Sequence, residues 1–291
     1  MRRPEPMSTG PVSCVSPTIL GVVNATPDSF SDGGAFLDPE RAIEHGVRLV
    51  EDGADLLDVG GESTRPGSEP VTEAEELARV LPVVRGLARR TRVPISIDTT
   101  KARVAEEALA AGASIVNDVS AGRIEPRILA VAARARAGYV LMHMLGTPRD
   151  MQRDPRYGDV VTEVRAFLAE RVEAAVAAGI ERSKLWIDPG IGFGKTLEHN
   201  LELLRRLGEL HELGLPILLG VSRKAFIAGV EEQAGRRRSP AGERLGGTLA
   251  ALAIGIVNGA SILRVHDVRE AKQAALVARA LAPGSAPSGS S

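Results

Sequence analysis

The sequence predicts an α/β fold and, within that class, a single (β/α)8 barrel of about 265 residues. Two observations carry that expectation. Short apolar runs of four to six residues alternate with longer helix-period runs, eight times each. A polar or ionisable residue stands at the carboxyl end of every short run, where a barrel builds its site. A doubly wound open sheet also alternates strands and helices; the count of eight and the placing of the polar residues favour the barrel.

The elements follow in chain order. Residues 1–17 are rich in Pro, Gly and Ser without periodicity and read as a disordered tail. The barrel is expected over 18–282, followed by a second disordered tail at 283–291. Ile19–Asn24 is the first strand, and Asp38 before Pro39 starts a helix over Pro39–Asp52. Leu56–Val59 leads to Thr72–Arg90, where Thr72 and Glu75 have capping-box spacing. Ile95–Asp98 then precedes Arg103–Ala111, Ile115–Asp118 precedes Pro126–Ala137, and Tyr139–His143 precedes Val160–Ala178. The last pairs are Leu185–Asp188 with Leu197–Leu213, Ile217–Gly220 with Gly242–Asn258, and Ile262–Val265 with Val268–Leu281. The strands are rich in β-branched residues and Leu, as strands buried on both faces should be. Gly53, Gly112, Gly138, Gly179, Gly214 and Gly259 stand where helices must stop.

Composition narrows the function. Lys and Arg total 36 against 37 Asp and Glu, so no overall basic excess points to nucleic acid. Cys14 is the single cysteine, which excludes an intramolecular disulfide framework. The apolar run Gly247–Val257 is about half the ~20 residues a spanning helix needs, and the N-terminus lacks the apolar stretch of a secretory signal. A cytoplasmic protein without nucleic-acid or membrane partners is expected, with Met1 and Met7 both open as the start.

The strand-end residues are Asn24, Asp58, Asp98, Asn117 with Asp118, Met142 with His143, Asp188, Ser222–Lys224, and Arg264 with His266. One Asp after a strand is usually a turn former or a cap; eight strands in step are harder to explain that way. Buried unpaired charges cost several kcal/mol each, roughly, unless a ligand or mutual pairing compensates. Asp and Asn suit a flat heterocycle with amino, imino and carbonyl edges. Lys224, Arg264 and His266 suit an anion such as phosphate. Asn24 is a neutral oxygen ligand able to join Mg²⁺ to phosphate oxygens. The set points to a polar heterocycle carrying a phosphate ester.

Other patterns fail. Asp188-Pro-Gly-Ile-Gly-Phe-Gly-Lys-Thr196 looks like a P-loop, but Pro189 stands where the first Gly is required, and Lys195 replaces the third Gly of a dinucleotide fingerprint. There is no zinc-type Cys cluster or metalloprotease His spacing. Arg236–Arg238 reads as a solvated loop. Two Gly-rich loops, Asn24–Gly34 and Gly60–Gly67, follow the first two strands and read as lids.

These same segments carry a resemblance. Asn24-Ala-Thr-Pro-Asp-Ser-Phe-Ser-Asp-Gly-Gly34, Asp58-Val-Gly-Gly-Glu-Ser-Thr-Arg-Pro-Gly67, Ser96-Ile-Asp-Thr99, Asn117-Asp118, Met142-His-Met144, Asp188-Pro-Gly-Ile-Gly-Phe193, Ser222-Arg-Lys224 and Arg264-Val-His-Asp267 resemble the dihydropteroate synthase family, in order and one per strand, between about Thr18 and Leu281. The resemblance implies a TIM barrel and a folate-pathway transferase, a sulfonamide target, that joins 6-hydroxymethyl-7,8-dihydropterin diphosphate to p-aminobenzoate with Mg²⁺. It implies that Asp98, Asn117, Asp188 and Lys224 hold the pterin, with Met142 and Phe193 lining the slot. It places Asn24, Arg264 and His266 on the diphosphate, with Asn24 on Mg²⁺. It gives Thr64, Arg65, Pro66 and Ser222 to the p-aminobenzoate site, and brings Asp32 in on closure. The implied catalytic set is Asp32, Thr64, Arg65, Lys224, Arg264 and His266.

Departures from the family pattern are mild: Ala25 for Val, Leu145 for Gln, and a longer Arg-rich loop through Ala241 after the seventh strand. Two related readings compete, a methyltetrahydrofolate-type methyltransferase barrel and a non-catalytic pterin-binding paralogue. The first does not need Ser222-Arg-Lys224 or the Arg264/His266 pair; the complete first loop argues against the second. A homodimer is implied by resemblance, and Gly247–Val257 is apolar on nearly all sides, more than one core-facing stripe requires.

Overall fold

The computed structural model describes residues 17–26, 38–63 and 68–282. Eight parallel strands form one sheet: β1 Thr18–Asn24, β2 Leu56–Gly60, β3 Ile95–Asp98, β4 Ile115–Asp118, β5 Gly138–Met142, β6 Leu185–Asp188, β7 Leu218–Leu219 and β8 Ile262–Val265. The hydrogen-bonded order is β6-β5-β4-β3-β2-β1-β8-β7. A parallel bridge between Ile187 and Ile217 brings the two ends together and closes the barrel.

Helices wrap the outside: α1 Pro39–Glu51, α2 Glu73–Arg90, α3 Ala102–Ala110, α4 Arg127–Arg134, α5 Val160–Ala177, α6 Leu197–Arg205, α7 Ala225–Gln233, α8 Leu245–Val257 and α9 Val268–Leu281. Side-chain caps fix the starts of α1, α2, α5 and α6. The Asp38 carboxylate accepts from Glu40 N at 2.9 Å. Thr72 and Glu75 form a reciprocal capping box. Asp159 accepts from Thr162 N at 2.7 Å, satisfying a donor that α5 leaves free. Ala, Val, Leu and Ile from helices and strands fill the layer between them, in keeping with the few aromatics. No helix among the described residues is long and apolar enough to cross a membrane.

Three expectations are corrected. Gly138 does not end a helix: it opens β5, and Arg136, at φ 53°, makes the left-handed turn before it. The Leu197–Leu213 run is two pieces, α6 and a 3-10 segment over Leu207–Leu213, joined at Arg206. The loop after the seventh strand contains a helix, α7, over Ala225–Gln233; its mixed Ala, Gly and Val content hid the period. Gly53, Gly112, Gly179, Gly214 and Gly259 do take positive φ at helix ends.

Candidate active site

The barrel interior is layered by the two-residue period of its strands. Leu20, Leu56, Ile115, Val140, Leu218 and Ile262, with Trp186 beside them, form an apolar plug. Two residues further along each strand stand Val22, Asp58, Asn117, Met142, Gly220, Arg264 and Asp188. The same inward face that plugs the bottom therefore turns polar toward the carboxyl ends.

Arg264 is the centre of this layer. Its Nε donates to Asp58 Oδ2 at 2.6 Å, and Nη2 donates to Asp98 Oδ2 at 2.7 Å. Asn117 Nδ2 donates to the same Asp58 oxygen at 3.0 Å. Asp58 is fully buried and its other oxygen, like the neighbouring Ser96 hydroxyl, has no protein partner. Burial pushes the Asp98 carboxyl upward, opposed by Arg264 and reinforced by Asp58. Burial works against the charge of Arg264, but Asp58 and Asp98 outweigh it and raise its pKa. Arg264 thus remains a cation.

Lys224 and Asp188 form the second charged group. Burial pushes Lys224 down to about 8, while Asp188 draws it back up. Burial raises Asp188, and Lys224 opposes that shift. Lys224 Nζ donates to Ile191 O at 2.5 Å and lies 4.7 Å from the centre of the Phe193 ring. A Cβ placed on Gly220 would lie 3.6 Å from Lys224 Nζ, 3.9 Å from Arg264 Cβ and 4.0 Å from Asp188 Oδ2. The bare glycine therefore keeps open the space that these three groups surround. Met142 and Phe193 pack with Val119, Met144 and Met151 as an apolar wall.

Ser222 and His266 meet at the rim, with Ser222 Oγ 3.0 Å from His266 Nδ1 and 3.2 Å from the His266 amide. Behind them Arg223 donates to both oxygens of Asp267, at 3.0 and 2.5 Å. Arg223 has φ 59°, a strained value held in place by its ion pair and by the hydrogen bond its backbone N–H donates to Thr248 Oγ1 at 3.0 Å. It staples the Ser222–Lys224 turn to the end of β8.

Asn24 ends β1, half-buried, with no hydrogen bond from its side chain among the described residues. Its amide oxygen fits one position on Mg²⁺, an ion that often takes few protein ligands and completes its shell from phosphates and water. No group of three His, Cys, Asp or Glu among the described residues could hold a metal by itself.

The structure thus brings Asp98, Asn117, Asp188, Lys224, Arg264, Met142 and Phe193 to one mouth, with Ser222 and His266 at its rim. Asp32, Thr64, Arg65 and Pro66 lie outside the described residues. Two members of the expected convergent series turn away. Asp118 accepts from Tyr139 Oη at 2.6 Å and from the Ser120 and Gly122 amides, so it orders the turn after β4. His143 is buried against Phe167 and Lys195. Three devices carried no expected role: the Asp58 anchor, the Arg223–Asp267 staple, and Lys101. The last bridges Glu62 and Glu76, the second at 2.6 Å, at the root of the Gly60–Gly67 loop.

The sequence pattern of the pterin binding enzymes matches residues 20–266. Dihydropteroate synthase of Synechocystis is 47% identical over 263 residues, covering 90% of this chain and 89% of the relative. Among solved structures, Yersinia pestis dihydropteroate synthase with a sulfonamide drug has a TM-score of 0.85 and 44% identity, covering 92% of this chain and 95% of that one. Xanthomonas albilineans dihydropteroate synthase with 4-aminobenzoic acid has a TM-score of 0.84 and 48% identity, covering 92% and 94%.

Proposed function

The chain belongs to the dihydropteroate synthase family of pterin binding enzymes and is a transferase; from that premise we propose that it condenses 6-hydroxymethyl-7,8-dihydropterin diphosphate with p-aminobenzoate, releasing diphosphate. The observation that carries this reading is the barrel mouth, where Asp98, Asn117 and Asp188 face the cations Arg264 and Lys224 above an apolar plug. Such a mouth suits a flat heterocycle bearing an anionic leaving group. The 4-aminobenzoic acid held by the Xanthomonas relative supports the second substrate.

The chemistry follows from the charges. The methylene C–O bond breaks and its electron pair leaves with the diphosphate oxygen. Arg264 and His266 neutralise that developing charge. Of the Arg264 nitrogens, Nε and Nη2 are engaged by carboxylates, which leaves Nη1 for the anion. The dihydropterin ring shares the positive charge left on the methylene, and Asp98 and Asp188 stabilise it. The amine nitrogen of p-aminobenzoate then forms the new C–N bond and releases a proton. A neutral aniline needs no strong base, so no catalytic triad is assigned. Asn24 would hold Mg²⁺, which when bound adds charge neutralisation at the diphosphate. Thr64, Arg65, Pro66 and Ser222 are assigned to p-aminobenzoate, and Asp32 to the closing first loop, through which water is kept from the reactive carbon.

A homodimer is part of the proposal. Ile254 and Val257 on α8 and Leu276, Val277 and Leu281 on α9 are exposed apolar residues on two helices that pack together. The function is tested by diphosphate release from the pterin diphosphate with Mg²⁺, with and without p-aminobenzoate. Release that requires p-aminobenzoate and stops with EDTA is expected. Pterin binding without release would overturn the reading in favour of a non-catalytic paralogue.

A further inference from the structure

The stretch Asp188–Thr196 resembles a phosphate loop in sequence, and Lys195 stands where such a loop would present its lysine to phosphate. The structure turns this lysine inward. Lys195 is only 3% exposed. Its Nζ lies 2.9 Å from His143 Nδ1 and donates to the Phe193 carbonyl at 3.0 Å. Both acceptors are neutral: burial, and then the Lys195 charge, hold His143 down to about 2.

Burial pushes Lys195 down to about 7, opposed by the charge of Asp188; an amine so placed is costly to keep charged, and an apolar side chain of similar length would pack there at less cost. Stability alone therefore gives little reason for a lysine at this place. The contacts point to another. His143 follows Met142 at the end of β5, and Phe193 is carried by the loop after β6. The two loops meet without slack: a Cβ on Gly190 would sit 1.9 Å from the His143 carbonyl oxygen, and one on Gly194 would sit 2.6 Å from that of Leu145. The carbonyl gripped by Lys195 belongs to the residue whose ring lies under the Lys224 ammonium.

We propose that Lys195 is a positioning residue for the pterin slot, clamping the loop after β6 to the end of β5 so that Phe193, and through it Lys224, are held at the width of the ring. This rests on the pterin reading above. Lys195 does not touch the substrate or its phosphates; it sets the wall against which the heterocycle lies.

The test is Lys195→Met, which keeps the stem and removes the donors. Two affinities are measured by calorimetry on the full chain: for a dihydropterin lacking phosphates, and for inorganic diphosphate with Mg²⁺. The dihydropterin affinity is expected to fall roughly 10- to 100-fold, the scale of an ångström-level misplacement. Diphosphate affinity is expected to change less than about threefold, and the melting temperature to hold. His143→Phe, which keeps a ring beside Phe167 but removes the nitrogen acceptor, gives the same split if Lys195→Met does not fold. Equal losses for both ligands, or no loss for dihydropterin, overturn the clamp. Wild-type protein that binds no dihydropterin overturns the pterin reading, and the clamp with it.

Discussion

Asp58→Asn separates activity from stability. Asp58 is fully buried, and one oxygen receives both Arg264 Nε and Asn117 Nδ2 while the other has no protein partner. An amide in its place keeps the shape and can turn its oxygen to the two donors, but it loses the charge and puts its NH₂ where the unpartnered oxygen stood. A hydrogen bond to a charged group contributes about 1.5–3 kcal/mol and a neutral one about 0.5–1.5. Losing most of one charged contact, about 2–3 kcal/mol, lets Arg264 drift from its two-carboxylate seat. If that cost falls on the transition state, kcat/KM for the pterin diphosphate drops about 30- to 150-fold. Stability moves little, because removing a buried carboxylate with an unpartnered oxygen relieves about 1–3 kcal/mol of desolvation. The melting temperature is therefore expected to stay within about 2–4 °C of wild type. The assays are steady-state diphosphate release and thermal unfolding of the same sample. Unchanged kcat/KM would show that Arg264 is aimed without Asp58. A fall in melting temperature beyond about 10 °C would show that Asp58 mainly holds the barrel together.

Four further outcomes are expected. Asp98→Asn costs on the order of 2–4 kcal/mol, or about 30- to 1000-fold in kcat/KM, and wild-type kinetics would remove Asp98 from the site. Arg264→Ala weakens the pterin diphosphate far more than a dihydropterin without phosphates in equilibrium binding; equal losses would refute its diphosphate role. Because burial lowers Lys224 to about 8, it carries its charge below that pH and loses it above. The pH profile of kcat/KM should fall on the alkaline side from about 8, and Lys224→Arg should move that limb out of range; an unmoved limb assigns it to another group. Gly190→Ala places a Cβ 1.9 Å from a carbonyl oxygen at φ +67°; soluble, wild-type-stable protein from that variant would contradict the interlocked loops.

The barrel was legible because its strands are buried on both faces and helices α1, α2, α5 and α6 begin with side-chain caps, two patterns that a sequence displays directly. The helix at Ala225–Gln233 was not, since its residues give only a weak apolar stripe. The site was legible at the strand ends, where polar residues interrupt apolar runs. Direction was not: Asn117 faces the axis and its neighbour Asp118 faces away, and only the register shows which. Lys195 shows a different difficulty. Its flanking glycines resemble a loop that offers a lysine to solvent, whereas their positive φ angles fold it inward.

The closure of the barrel has a mechanical consequence. From β6 through β1 to β8 each strand is laced to the next by several hydrogen-bonded pairs, whereas β7 is two residues long and touches β6 through a single bridge. In hydrogen-bonding terms the molecule is a rolled eight-stave sheet whose last seam is tacked at one point. Asp188 stands at the end of one lip of that seam, and Gly220 and Lys224 follow the other. Opening there breaks the fewest backbone bonds, so the seam is the cheapest place for the wall to breathe. Asp188 and Lys224 would then part and rejoin, while the Asp58–Arg264–Asp98 seat lies on β2, β3 and β8, away from the seam.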